Sequence, residues 1–326
     1  MRQDALVEPI SKPPRLVPGR LRAATNRLGP PFRASALWPC LWLTVLVLCF
    51  GPSLLAWVRY AWDSELYSYT LGIPIISLYL AWRKAKVDWR DCERVHWFAI
   101  LPLAAGLGGL GASRSVVWRG LQASSNDQLA LEILALVFFA VSGGLLFLST
   151  ESLRRAKFPM AFLMFMVPLP DAVRSWLESF LQHRSADAAQ LLFAFAGMPA
   201  LRHGTVFHLP GFSLEVAPEC SGIHSTLVLF ITSLVAGYLL LQSPWRRVLL
   251  ALSVIPLALL RNGFRIFTIG ELCVNVSPDM INSYIHRRGG PIFFALSLIP
   301  FFLLLLYLRK GEHSPPCGPA VPTEKP

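Results

Sequence analysis

Eight runs of apolar residues punctuate the chain, most of them roughly 17 to 22 residues long, the length an α-helix needs to cross a bilayer's hydrocarbon core. They fall at about 36 to 57, 66 to 82, 97 to 113, 129 to 149, 158 to 170, 220 to 241, 248 to 269 and 290 to 308. The expected fold class is therefore all-α: a polytopic integral membrane bundle of about eight transmembrane helices. Composition supports this, because only 15% of the 326 residues are charged and 54% are hydrophobic, against about 25% charged in soluble globular domains. A soluble domain, a disordered chain and collagen are excluded. A secreted disulfide scaffold is excluded too, since the six Cys are scattered along the whole length and several sit inside apolar runs. The net charge of +11 then reports membrane topology, and no nucleic-acid partner is expected.

Lys and Arg retained in cytoplasmic loops set the orientation. With the N-terminus inside, the inner segments are 1 to 35, 83 to 96, 150 to 157, 242 to 247 and 309 to 326, and they hold twenty of the thirty basic residues. Three regions follow: a basic cytoplasmic tail over 1 to 35, too long and irregular for a signal peptide's charged start, a transmembrane domain over 36 to 308, and a cytoplasmic tail over 309 to 326. The protein is expected to be a multi-pass component of the plasma (inner) membrane. Its third run is rich in glycine (Gly106, Gly108, Gly109, Gly111), as in closely packed membrane helices, and no internal repeat of the transporter kind is visible.

Between 171 and 219 the pattern changes. Val173, Trp176, Leu177, Phe180, Leu181, Ala188, Leu191 and Leu192 recur at three-to-four-residue spacing with Arg174, Glu178, Arg184 and Asp187 between them, which predicts an amphipathic helix or helix pair on the outer surface. Thr205 to Leu209 and Phe212 to Val216 are short β-like runs joined by Pro210-Gly211, a hairpin signal. The hairpin leads into Pro218-Glu219-Cys220.

Three residues carry chemistry in this topology. Cys220 begins the sixth run, and a thiol at a helix N-terminus is stabilised as thiolate by unpaired N–H groups and the helix dipole; buried in apolar surroundings, it is instead an inert packing residue, as Cys40 and Cys49 are read to be. Arg265 ends the seventh run one turn beyond Arg261. A guanidinium at that depth either faces the bundle interior with a partner or snorkels to the interface. His286 precedes the eighth run in Tyr-Ile-His-Arg-Arg-Gly-Gly-Pro and is a proton carrier near neutral pH, or simply a surface residue. All three fall on the outer face, where together they supply nucleophile, proton carrier and anion stabiliser for acyl transfer. His203, His208, Glu215, Glu219 and His224 lack the spacing of a zinc motif, so no metal is expected. Ser221 and Ser225 lack a nucleophile-elbow setting and read as capping or packing groups. A Cys220 to Cys273 disulfide is the structural alternative for the thiol.

The order and wording of these motifs resemble the exosortase/archaeosortase family of membrane transpeptidases. The matching pieces are Glu215-Val216 followed by Glu219-Cys220-Ser221-Gly222, then Asn262-x-x-Arg265-Ile266, then His286 with Gly289. Tyr67-Ser68-Tyr69 leading into Leu71-Gly72-Ile73-Pro74, and Phe165 to Pro170, also look like the family, so the likeness covers about residues 60 to 308. It implies that Cys220 is the nucleophile forming a thioester, that His286 shuttles protons, and that Arg265 holds the thiolate or the oxyanion. It implies no cofactor. The implied partners are exported proteins with a tripartite C-terminal sorting tail (a short motif such as Pro-Glu-Pro, a transmembrane helix and a basic cluster) and a membrane lipid or other cell-envelope acceptor. A transporter or flippase, with the outer charges as substrate ligands, and a non-catalytic membrane scaffold are the other two functions the residues allow.

Overall fold

The apolar runs fold as helices, but not as one helix per run. A computed structural model describes residues 33–85, 97–118, 124–217, 221–277 and 289–312. Within them the chain forms α1 (Arg33–Cys49), α2 (Gly51–Asp63), α3 (Gly72–Ala85), α4 (Ile100–Trp118), α5 (Ser125–Phe147), α6 (Thr150–Phe162), α7 (Asp171–Phe195), the strands β1 (Leu201–His203), β2 (Val206–Leu209) and β3 (Phe212–Glu215), then α8 (Ile223–Leu240), α9 (Pro244–Asn275) and α10 (Gly290–Lys310).

Among the described residues α5, α8, α9 and α10 are long and apolar enough to cross a membrane, and the number rises to six if two bent pairs each count as one span. The chain is thus a multi-pass helical membrane protein, but the expected eight spans are not confirmed. Proline accounts for much of the difference. The first run breaks at Phe50, where Pro52 opens a new helix, and α1 and α2 meet at a 68° bend; a proline has no N–H to give the carbonyl four residues back, and its ring clashes with that carbonyl. The fifth run continues from α6 through a 3₁₀ turn (Leu163–Met166) into Val167-Pro168-Leu169-Pro170, and turns 90° into α7. The second run yields a 3₁₀ turn (Ser68–Leu71) and then α3, whose 14 residues extend about 21 Å, short of a hydrocarbon core about 30 Å thick. Residues 172 to 196, expected as a helix or helix pair, form the single helix α7.

The hairpin is present with its turn at Gly211, whose φ of 76° suits a residue lacking Cβ. A third strand, β1, not expected from the sequence, pairs with β2 across Gly204-Thr205. Phe207, Leu209, Leu214 and Val216 from this sheet pack with Ala186, Ala189 and Phe193 of α7 and Ile266, Ile269 and Cys273 of α9. Arg202 ties β1 to α7 through Asp187 at 2.7 Å and Gln190 at 3.2 Å. The sheet therefore rests on the α7–α9 pair.

Two groups of loops are each tied together by hydrogen bonds. In one, Tyr67 donates to the Leu169 carbonyl (3.2 Å), Asn126 donates to the same carbonyl and to Asp171 (both 2.9 Å), and the Asp171 N–H donates to Asp127 (2.7 Å). In the other, Tyr238 donates to the Arg155 carbonyl, and Glu312 accepts from the N–H groups of Gln242 and Ser243 just ahead of α9. Those N–H donors, Ser243 first, hold the Glu312 carboxyl below its ordinary range.

Lipid-facing side chains such as Leu48, Ile75, Leu78 and Trp82 stay exposed on the bundle. Burying apolar surface against a neighbour gains little in lipid, so helices associate through close backbone approach. Gly263 and Gly270, seven residues apart on α9, provide it: a Cβ at Gly263 would stand 2.6 Å from Ala188 Cβ, and one at Gly270 2.6 Å from Phe193 Cζ. Gly263→Val and Gly270→Val should each cost about 1–3 kcal/mol through overpacking, read as a lowered melting temperature in detergent, whereas Gly108→Val on α4, with nothing within 4 Å, should show no packing penalty.

Candidate functional site

Two of the three expected site residues, Cys220 and His286, lie outside the described residues, as does Glu219; the third, Arg265, and the chain flanking the other two are described. The sixth helix, expected from residue 220, starts at Ile223. Gly222 ahead of it takes φ 72°, ψ 20°, a left-handed conformation that a continuing right-handed helix does not contain. The helix thus begins three residues later than expected.

The Gly222 carbonyl is the hub of this corner. It accepts from the Thr226 N–H (3.0 Å), the Thr226 hydroxyl (2.8 Å), the Ser225 hydroxyl (3.0 Å) and Arg261 Nη2 (3.3 Å). Arg261 Nη2 also donates to Thr226 Oγ1 at 3.3 Å. Ser225 thus packs at the helix start, one of its two expected roles, without capping it, while Ser221 is buried with its hydroxyl unpartnered among the described residues. Arg261 is only 9% exposed, so of the two readings open to it the interior one holds and snorkelling does not.

One turn further along α9, Arg265 lines a small open cleft of about 10 Å³ with Glu215 and Val216 of the hairpin and Asn262 of α9, beside Leu214, Ile266 and Ile269. The structure thereby brings Glu215-Val216, Gly222 and Asn262-x-x-Arg265, remote in sequence, to one corner. Counting about 20 residues of hydrocarbon span onward from Arg247 puts Arg265 near its far limit. The start of α10, close after His286, meets the same helix: Phe293 packs edge-on against Phe264, ring centres 6.1 Å apart.

Residues with other expected roles are also placed. His203 and His208 face each other across the β1–β2 pair at 5.6 Å, and His208 Nδ1 lies 2.9 Å from Ser213 Oγ. His224 is elsewhere, with Nδ1 3.3 Å from the Leu66 carbonyl and its ring near Tyr69. Among the described residues no three His, Cys, Asp or Glu side chains gather as a metal site would require. Cys273, the alternative disulfide partner of Cys220, is buried between α9 and the sheet.

Gln182 was missed in the sequence. It sits on α7 within a run of mixed polarity, and its Nε2 donates to the Val216 carbonyl, the last backbone group of the hairpin. No periodicity marks such a residue, because what distinguishes it is a partner 34 positions away.

A family model described as transmembrane exosortase matches residues 57–303, about three quarters of the chain. No curated protein and no solved structure is similar to the chain at a significant level.

Alanine at position 222 would need left-handed backbone and would place a Cβ 3.0 Å from Arg261 Nη2. Gly222→Ala should therefore lose about 1–2 kcal/mol of stability. Gly111→Ala, in open space within α4, should match or exceed the parent in the same thermal melt.

Proposed function

The chain belongs to the transmembrane exosortase family, and we propose that it is a membrane cysteine protease and transpeptidase acting on sorting signals of exported proteins. In this reading Cys220 is the nucleophile, His286 the proton carrier and Arg265 the anion stabiliser. The observation that carries it is the cleft in which Arg265 meets Glu215 and Val216, the last strand residues before Cys220, while Arg261 of the same helix reaches Gly222 just after it.

The chemistry runs as acyl transfer. Cys220 Sγ, as thiolate, attacks the carbonyl carbon of the scissile peptide bond, and the oxygen gathers negative charge where the Arg265 guanidinium can offset it. Collapse breaks the C–N bond, the amine leaves with a proton from His286, and the upstream protein remains as a thioester on Cys220. An acceptor nucleophile then gives its proton to His286 and attacks the thioester carbon, and the sulfur leaves as thiolate, restoring the starting thiolate and protonated imidazole. Water as acceptor completes hydrolysis; an amine or hydroxyl of an envelope acceptor completes transfer.

The substrate is a tail with a short recognition motif, a transmembrane helix and a basic end. A tail helix in the same bilayer is confined to two dimensions beside the enzyme, which raises the motif's effective concentration at the outer face of the plasma (inner) membrane. No cofactor takes part.

Cys220→Ala and Cys220→Ser should insert and fold yet process no tail substrate, and loss of His286 or Arg265 should be nearly as severe, because residues acting as one unit do not contribute additively. The assay is cleavage of a tail-bearing reporter in membranes, with thiol alkylation of the parent in the absence of reductant showing Cys220 free. Processing at the parental rate by Cys220→Ser would reject the mechanism and point to transport or scaffolding.

A further inference from the structure

The two carbonyls that bracket residues 217 to 221 are each held by a side chain from a different helix. Upstream, the Val216 N–H donates to the Thr205 carbonyl at 3.0 Å, and the Val216 carbonyl accepts from Gln182 Nε2 on α7. Downstream, the Gly222 carbonyl accepts from Arg261 Nη2 on α9. The α7 and α9 anchors belong to a tightly packed helix pair: Gly263 admits the α7 backbone at Ala188 and Ala189, and Gly270 admits the Phe193 ring.

Ordinary hydrogen-bond satisfaction does not account for Arg261. Its acceptor already receives one N–H and two hydroxyls, and Arg261 Nη1 is buried with no partner among the described residues. A buried charge in a membrane helix is costly, and an apolar side chain of similar volume generally serves stability as well or better. What the guanidinium adds is a rigid two-point hold, through one nitrogen, on both the Gly222 carbonyl and Thr226 Oγ1, fixing the left-handed residue from outside its own helix.

We infer that Arg261 and Gln182 are positioning residues for the reaction: by holding the Gly222 and Val216 carbonyls they fix the described chain on either side of Cys220. The inference rests on the reading of Cys220 as nucleophile. Neither side chain acts on substrate; each acts through the main chain it holds. Misplacement of a reacting group by about 1 Å can cost about a hundredfold in rate, which is the leverage such anchors have.

The test uses the full-length protein in lipid nanodiscs with a membrane-anchored tail peptide. Gln182→Leu and Arg261→Met should each lower kcat per folded molecule by about tenfold to a hundredfold with KM within about twofold, and Arg261→Lys should recover part of the loss, because an ammonium still donates to the Gly222 carbonyl. A kcat within about twofold of the parent in either variant overturns that residue's role. Failure of Arg261→Met to fold overturns the positioning role of Arg261 in favour of a structural one. Cys220→Ala separates the two levels: if it processes the tail, the nucleophile reading falls; if it is inactive while both anchor variants run at the parental rate, this inference alone falls.

Discussion

A guanidinium carried into a lipid bilayer must find its hydrogen-bond acceptors within the protein, because the hydrocarbon offers none. Arg261 finds them at the Gly222 carbonyl and the Thr226 hydroxyl, and the local architecture is built around that need. It requires α8 to begin beside α9, and it requires a residue whose carbonyl points back toward α9 from a left-handed turn, which is why glycine occupies 222. A side chain at that position would press on the guanidinium it serves. The same stretch of α9 supplies Asn262, which faces Gly222, and Gly263, which admits α7, so one helical turn binds α8 on one side and α7 on another.

The irregular backbone in this bundle obeys a similar rule. Helices broken by proline leave carbonyls without intrahelical donors, and at membrane depth these are tolerated only where protein covers them. The donors are present. Ser77 donates to the Pro159 carbonyl at 2.7 Å, Trp57 to Met166 at 3.1 Å, and Tyr67 and Asn126 share Leu169. Two sequence blocks that had seemed only to support the family likeness, around Tyr67 and around Pro168, thus prove to be partners. The first supplies a donor for the carbonyl that the second leaves unpaired.

What could be read from the chain and what could not divides along the range of the interaction. Hydropathy marks the helices because each residue votes on its own burial, and Pro210-Gly211 marks the hairpin because its turn is set by local dihedral freedom. The interior orientation of Arg261 was open, since a lone arginine in an apolar helix has two solutions and only the acceptor at residue 222 decides between them. The bends at Phe50 and at Pro168 were missed because a hydropathy run carries no direction; an apolar stretch of 22 residues looks the same straight or folded. β1 was missed because Leu201-Arg202-His203 has no alternation of its own and is a strand only by virtue of β2 beside it. Of the expected site only Arg265 is described; the corner it forms with Glu215 and Val216 joins motifs whose order along the chain carries no spatial information, and Gln182 belongs to no motif.

Two arginines a single turn apart come to serve different ends because of depth and of what roofs them. Helix α9 has 32 residues and a length of about 48 Å, well beyond a hydrocarbon core of about 30 Å, so its later turns rise out of the lipid under the sheet. Arg261 lies on the deeper turn, enclosed by the start of α8, and is engaged with backbone and hydroxyl. Arg265, about 6 Å further along the axis, reaches the level at which β3 ends and a cleft opens. Positive charge there sits in surroundings of low polarity, where an approaching negative charge is stabilised more than in water. The sheet that forms this roof is also the segment that leads the chain toward residue 220, so the cover over the cation and the approach to that stretch of chain are the same piece of polypeptide.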